Sequence, residues 1–428
     1  MSGRGFFLAL VIFTLLLIGL ATLNGGVIAL ALPLVLYFTA AIYYRPSVPR
    51  LSAQRFLSTD RIFPDTPVTI SLIIRNEGPS LEEIHIEDAL PHGLELLQGN
   101  TELYTSLDSG QEVILEYTVR GKRGDYRFSG FRATYREGAG LFEATSPVQA
   151  SHRLIVRPRP ARLKPMRIRP PQTRGFAGPI PARQGGAGVD FFTVREYQSG
   201  DQQRRINWKV AARSEADLYT NVYEQERVAD VGIILDAREQ SYGDLPDHPL
   251  FEKVVQATAS ICEGYLNDGN RVGLLVYGGG IESAFPGVGK TQRQRILQVL
   301  ARARPGRNFA LETLRYLPTR FFPPRSQIIL VSPLLQADVD VLISLRALGY
   351  AVLVISPNLL LFDAAQENKA PDPLALRLAL AERALLLQKV RRAGVQVIDW
   401  NTEVPIEQIS RRYSVRSLAV NPTVEASR

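Results

Sequence analysis

Two uninterrupted apolar runs open the chain. FFLALVIFTLLLIGLATL fills residues 6–23 and VIALALPLVLYFTAAIYY fills 27–44, and neither holds a charged residue. A helix needs about 20 apolar residues to cross the hydrocarbon of a bilayer, and each run is close to that length. Asn24-Gly25-Gly26 between them supplies a tight turn. A cleaved leader would end after one apolar region at a small-residue site. A second run follows at once here, which predicts a transmembrane helical hairpin within residues 1–50. Arg4 precedes it, Arg45, Arg50 and Arg55 follow it, and the turn is uncharged. The positive-inside rule then predicts a multi-pass protein of the inner membrane whose soluble parts face the cytoplasm.

From residue 51 to 158 the pattern changes to period two. Val68–Ile74, Ile84–Glu87, Glu112–Val119, Phe131–Tyr135 and His152–Val156 alternate or are rich in β-branched residues, and turn residues separate them. Short strands with regular turn signals predict an all-β, immunoglobulin-like sandwich. Asp88-Ala-Leu-Pro-His-Gly-Leu94 resembles the Asp-x-Leu-Pro-x-Gly-Leu turn of bacterial immunoglobulin-like repeat domains. Residues 159–188 are rich in Pro, Arg and Gly and predict an extended connector, mobile over Arg183–Gly188. In the segment 189–226, Leu218–Glu226 predicts an edge strand. From 227 to 428, strand-like and helix-like runs alternate. Strands are expected at 231–235, 272–277, 328–331, 351–355 and 395–398. Helices are expected at 248–267, 291–304, 337–348 and 373–393. That order predicts a doubly wound α/β domain, whose ligands bind at the carboxyl ends of the strands.

Composition refines this picture at three points. The formal net charge of +8 is uneven. Arg153, Arg157, Arg159, Arg162, Lys164, Arg167, Arg169, Arg174 and Arg183 share one stretch without an Asp or Glu. Such a block is either a solvated linker or a binder of an anionic partner: lipid headgroups, nucleic acid or an acidic protein face. The single cysteine, Cys262, excludes a disulfide framework and a multi-cysteine metal site, and reads as a small buried residue on a helix. The four histidines show no ligand spacing.

The densest chemistry lies in VDFFTVREYQSGDQQRRINWKVAAR, residues 189–213. Gly200-Asp201 predicts a turn, and Asp201 is placed to cap a helix from about Gln202 that carries Ile206 and Val210 on one face. The pattern R-E-Y-x-x-G-D-x-x-R-x-I-x-W-K followed by A-R resembles the signature of the domain-of-unknown-function 58 family. Arg195, Glu196, Tyr197, Gly200, Asp201, Arg204, Ile206, Trp208, Lys209 and Arg213 occupy its positions. The resemblance implies a membrane-anchored protein, a von Willebrand factor A-like (Rossmann-like) fold after the signature, and a MoxR-type AAA+ ATPase as partner. Either Arg195, Glu196, Asp201 and Arg204 form an ion-pair network that staples the segment onto the next domain, or the signature faces a partner, with Arg195, Asp201 and Arg204 supplying charge and Tyr197 and Trp208 as anchors.

Two further motifs bear on chemistry. In the von Willebrand factor A fold the Asp ending the first strand opens an Asp-x-Ser-x-Ser metal loop. Asp236 matches, Arg238 and Gln240 do not, Ser241 is one residue out of register, and Val331-Ser332-Pro333 lacks the later Asp. The metal site is therefore expected to be degenerate, with Asp236 pairing with Arg238 or capping a helix, and no cofactor is expected. Ala284-Phe-Pro-Gly-Val-Gly-Lys-Thr291 fits a loose phosphate-loop pattern, in which Gly289, Lys290 and Thr291 would hold a nucleotide. No Walker B strand follows it. The resulting expectation is a membrane-anchored, non-enzymatic interaction protein. A nucleotide-binding protein using Lys290 and Thr291, and a lipid or nucleic-acid binder using 153–183, stand as alternatives.

Overall fold

A computed structural model describes residues 3–43, 49–136, 141–163, 180–213, 218–243, 248–311, 313–318, 321–366 and 373–419. The chain divides into two compact units, Met1–Arg157 and Pro158–Arg428. Each is described by itself.

The first unit begins with the helices α1 (Gly3–Ala21) and α2 (Gly25–Tyr43). Both are long and apolar enough to cross a membrane, with mean hydropathies of 2.3 and 2.1. They pack closely at Gly19, where an added Cβ would lie 2.6 Å from Cγ1 of Ile28. Nine strands follow: β1 (Leu51–Leu57), β2 (Arg61–Ile62), β3 (Val68–Asn76), β4 (Leu81–Glu87), β5 (Leu94–Gly99), β6 (Glu102–Leu107), β7 (Glu112–Gly121), β8 (Gly124–Arg136) and β9 (Glu143–Val156). They form a four-stranded sheet in the order β1-β3-β7-β5 and a five-stranded sheet in the order β2-β9-β8-β4-β6. Alternation decides which residues enter the space between them. Val68, Ile70, Leu72 and Ile74 of β3 are buried on one face and meet Ile84 and Ile86 of β4 in a common core. The sandwich expected from the sequence is present, with β1, β2, β5 and β6 added to the strands predicted.

Burying Arg55 at the centre of this unit needs compensation. Its guanidinium donates to both Asp88 carboxylate oxygens at 2.8 and 2.9 Å, and Tyr117 Oη donates to Asp88 Oδ2 at 2.6 Å. Both side chains of the pair are fully shielded from solvent. Burial, and then the Asp88 charge, hold the Tyr117 phenol well above its ordinary range. Asp88 of the repeat-like turn therefore acts as a core anchor, and Arg55 belongs to the sandwich rather than to the charges flanking the hairpin.

In the second unit, β10 (Ile180–Glu196) pairs antiparallel with β11 (Tyr219–Arg227) as a two-stranded ribbon. The connector expected to end at residue 188 gives way earlier: β10 begins at Ile180 and includes 183–188, with register shifts between Pro181 and Gly185 and between Gly186 and Phe191. A short 3-10 turn (Gln203–Arg205) and α3 (Trp208–Ala211) lie between the two ribbon strands in sequence.

The remaining elements are β12 (Asp230–Ala237), α4 (Pro249–Asn267), β13 (Arg271–Gly278), β14 (Ile281–Gly287), α5 (Gly289–Arg302), β15 (Gln327–Val331), α6 (Asp338–Ala347), β16 (Ala351–Pro357), α7 (Leu359–Gln366), α8 (Pro373–Arg392), β17 (Gln396–Trp400) and α9 (Ile406–Ala419). The six strands form one sheet in the order β14-β13-β12-β15-β16-β17. All neighbours run parallel except the hairpin β13–β14. Successive residues of the central strand serve opposite faces. Ile233 and Leu235 join a core with α4 and α5, and Ile234 joins a second core with α6 and α8. Being covered on both faces is why these strands are continuously apolar rather than alternating. The strands and helices expected here are present, and β14, α7 and α9 join them.

Candidate functional site

The signature segment folds around Asp201. Gly200 has φ 110°, the left-handed turn its residue type suits. The helix expected from Gln202 does not form. Asp201 instead turns back, accepting from the Gln198 amide at 3.0 Å and from Arg195 Nη2 at 2.7 Å. The Gln198 amide first and Arg195 second hold its carboxyl below the usual value. Tyr197 Oη donates to the Asp201 carbonyl at 3.3 Å. The short helix α3 starts later and is capped by Asn207, whose side chain accepts from the Val210 amide and donates to Asn221 of β11. Ile206 forms a bridge with Thr220 rather than a helical face.

The signature therefore splits in two. Arg195, Tyr197, Gly200, Asp201 and Ile206 are used internally. Glu196, Arg204, Trp208, Lys209 and Arg213 are exposed. Among the described residues, Arg204 bonds locally, its Nε donating to Gln202 at 2.9 Å, and of the four-residue charge network expected from the sequence the pair Arg195–Asp201 is seen. Trp208 is 66% exposed, with Phe191 (61%) and Leu218 (44%) on the same ribbon-borne segment.

A second site lies at the carboxyl end of β12. Arg238 is buried, and its guanidinium bridges two carboxylates. Nε and Nη2 donate to Asp236 at 2.9 and 2.8 Å, and Nη1 and Nη2 donate to Asp338 at 3.0 and 2.8 Å. Ser241 Oγ and Ser332 Oγ donate to Asp236 Oδ2 at 2.8 and 2.6 Å. The Leu335 amide donates to Asp338, and Tyr242 Oη donates to the Asp236 carbonyl. Burial is the largest influence on Arg238 and opposes its charge, but the two carboxylates outweigh it and its pKa is raised. The expected pairing of Asp236 with Arg238 is thus observed. Asp338 was not anticipated, because it lies 100 residues from Arg238 and starts a helix in which an acidic residue is unremarkable. Beside this cluster is a cavity of about 130 Å3 bordered by Arg238, Glu239, Gly278, Gly306, Arg307 and Phe309, among others.

The other candidates do not assemble. Ala284 and Gly287 are strand residues paired with Leu274 and Val272 of β13, so the segment before Lys290 is extended and wraps no phosphate. Gly289 has φ 74°, and Lys290 and Thr291 are exposed at the start of α5. In the basic block, Arg153 is paired with Asp125 at 2.5 Å and Arg157 stacks over Phe63, so both belong to the sandwich. Lys164, Arg167, Arg169 and Arg174 lie outside the described residues. Cys262 is buried on α4, where burial pushes its thiol up and leaves little reactive thiolate. Among the described residues, His85, His152 and His248 each face a separate carboxylate, and no group of three His, Cys, Asp or Glu gathers as for a metal.

Two apolar helices, a β-sandwich and a mostly parallel α/β sheet with a polar cluster at its strand ends define the class of this modular protein. Residues 193–382 match the family model described as "Protein of unknown function DUF58". The chain is 27% identical over 252 residues to "Uncharacterized protein YeaD" of Bacillus subtilis (strain 168), an alignment covering 58% of this chain and 60% of that relative. Similar solved structures include the CARDB domain of a Pyrococcus furiosus protein in complex with di-metal ions. It is 16% identical, covers 26% of this chain and 94% of its own, and has a TM-score of 0.19. A non-cellulosomal cohesin from Archaeoglobus fulgidus is 11% identical, covers 24% of this chain and 91% of its own, and has a TM-score of 0.18.

Proposed function

We propose that this is a membrane-anchored, non-enzymatic interaction protein that docks a partner through the exposed half of its signature. The observation that carries this is Trp208: a tryptophan left 66% exposed on a segment whose base is pinned by Arg195–Asp201 and by the Asn207 cap. Tryptophan and arginine dominate the energy of protein interfaces, and a pinned base lowers the ordering cost of binding. Arg204, Lys209 and Arg213 around it favour an acidic partner surface. The signature's resemblance names the candidate: a MoxR-type AAA+ ATPase, acting with this chain in the assembly or maturation of other proteins.

The sheet after the ribbon has the strand order and the one antiparallel edge hairpin that suit a von Willebrand factor A-like domain. Helices α1 and α2 suit an inner-membrane hairpin with both ends in the cytoplasm. The test is cross-linking from membranes with full-length protein. An AAA+ ATPase should co-purify with the wild type and be lost from Trp208→Ala/Lys209→Glu at unchanged melting temperature. Retention of the ATPase by that variant sinks the docking surface.

A further inference from the structure

Asp236, Asp338, Ser241 and Ser332 surround one point at the carboxyl end of β12 with hard oxygen atoms, and every one of these side chains is buried. Carboxylates and hydroxyls in that arrangement suit a divalent cation such as Mg2+. The point is already taken. Arg238 leaves the strand two residues after Asp236 and turns back, so that its own backbone N–H and its guanidinium both bond Asp236. A metal and this guanidinium cannot share the cage. Two like charges would lie within a few ångströms of each other, with the carboxylate oxygens already engaged. The metal that the von Willebrand factor A resemblance implies therefore does not fit this chain.

We propose that Arg238 is a built-in replacement for a divalent cation, which makes the carboxyl end of this sheet permanently filled and independent of metal. A metal ion has open coordination positions, at which a partner's carboxylate can bind. A guanidinium locked between Asp236 and Asp338 offers none, and with two carboxylates to one cation the cluster carries a net negative charge. An acidic partner group is repelled there rather than captured. This inference does not depend on the docking role of Trp208.

The experiment uses detergent-solubilised full-length protein and Mn2+ as probe, read by electron paramagnetic resonance and by melting. Wild type should bind no Mn2+ and melt identically in EDTA. Arg238→Ser empties the cage and should bind one Mn2+ per chain. Its melting temperature should rise by roughly 5 °C or more at a hundredfold excess over the dissociation constant. Adding Asp236→Asn should abolish both effects. Arg238→Lys keeps a cation in place and should stay metal-free. If Arg238→Ser is unfolded without metal, refolding by Mn2+ supports the cage. Failure of millimolar Mn2+ to bind or refold it overturns the proposal, as does Mn2+ binding by the wild type that is lost in Asp236→Asn.

Discussion

At single residues, the strongest constraint is the handling of buried charge. Asp88 accepts from Arg55 and Tyr117 inside the sandwich, with its side chain fully shielded from solvent. Removing one member of a buried pair strands the other, which costs about 3–5 kcal/mol. Asp88→Ala should therefore lower stability by that amount in denaturant melts, whereas Asp125→Ala, whose partner Arg153 is partly exposed, should cost far less. Asp201 makes a prediction with a sign. Its folded pKa lies below 3.8, so its contribution is present above that value and lost only as the pH falls through the lower folded value. The Gln198 amide resonance should stay constant from pH 7 to 5 and titrate with a midpoint below 3.8. Arg195→Ala should move that midpoint upward, and an unchanged midpoint would show that Arg195 does not hold the carboxylate.

Among elements, parallel strands need something at their open ends, because their last carbonyls have no partner strand residue beyond them. Arg383 of α8 answers for three strands. It donates to the Pro333 carbonyl after β15 at 3.0 Å, to the Ser356 carbonyl of β16 at 3.1 Å and to Asp399 of β17 at 2.8 Å. Arg383→Ala should cost about 1.5–3 kcal/mol, the range for hydrogen bonds to a charged group. It should also speed amide exchange at the ends of β16 and β17 more than in β12. Uniform exchange across the sheet would mean that the clamp is dispensable. Legibility also varies by element. The covered strands β12, β13, β15 and β16 are conspicuous apolar runs, and α4 begins at a His-Pro boundary and carries a full helical apolar face. β5 is not legible, since it buries Leu94 and then exposes five residues, so no alternation marks it.

For the whole molecule, the charges flanking the two apolar helices bear on the proposed membrane topology. Arg55 is committed to the sandwich core, which leaves Arg4, Arg45 and Arg50 as the flanking charges of the hairpin. These still favour cytoplasmic ends. In a Cys262→Ser background, Asn24→Cys should be labelled by an impermeant maleimide added outside the inner membrane. Labelling only after permeabilisation would invert the topology. The basic block weighs less in this balance than its composition suggests, because Arg153 and Arg157 are consumed by the sandwich.

Local chemistry determined much of this protein from sequence alone. Apolar run length produced α1 and α2, period-two alternation produced the main strands of the sandwich, and the strand–helix order produced the parallel sheet. These properties depend on neighbours a few residues apart, so a linear reading reaches them. The strand-end cluster does not work that way. Asp236 and Arg238 are adjacent in sequence, but Ser332 and Asp338 arrive from about 100 residues further on, and only the pairing of β12 with β15 brings them in. The same holds within the signature, where ten motif residues look equivalent in the chain. The folded segment pairs Arg195 with Asp201 across the turn at Gly200 and leaves Trp208, Lys209 and Arg213 exposed on and after the short α3.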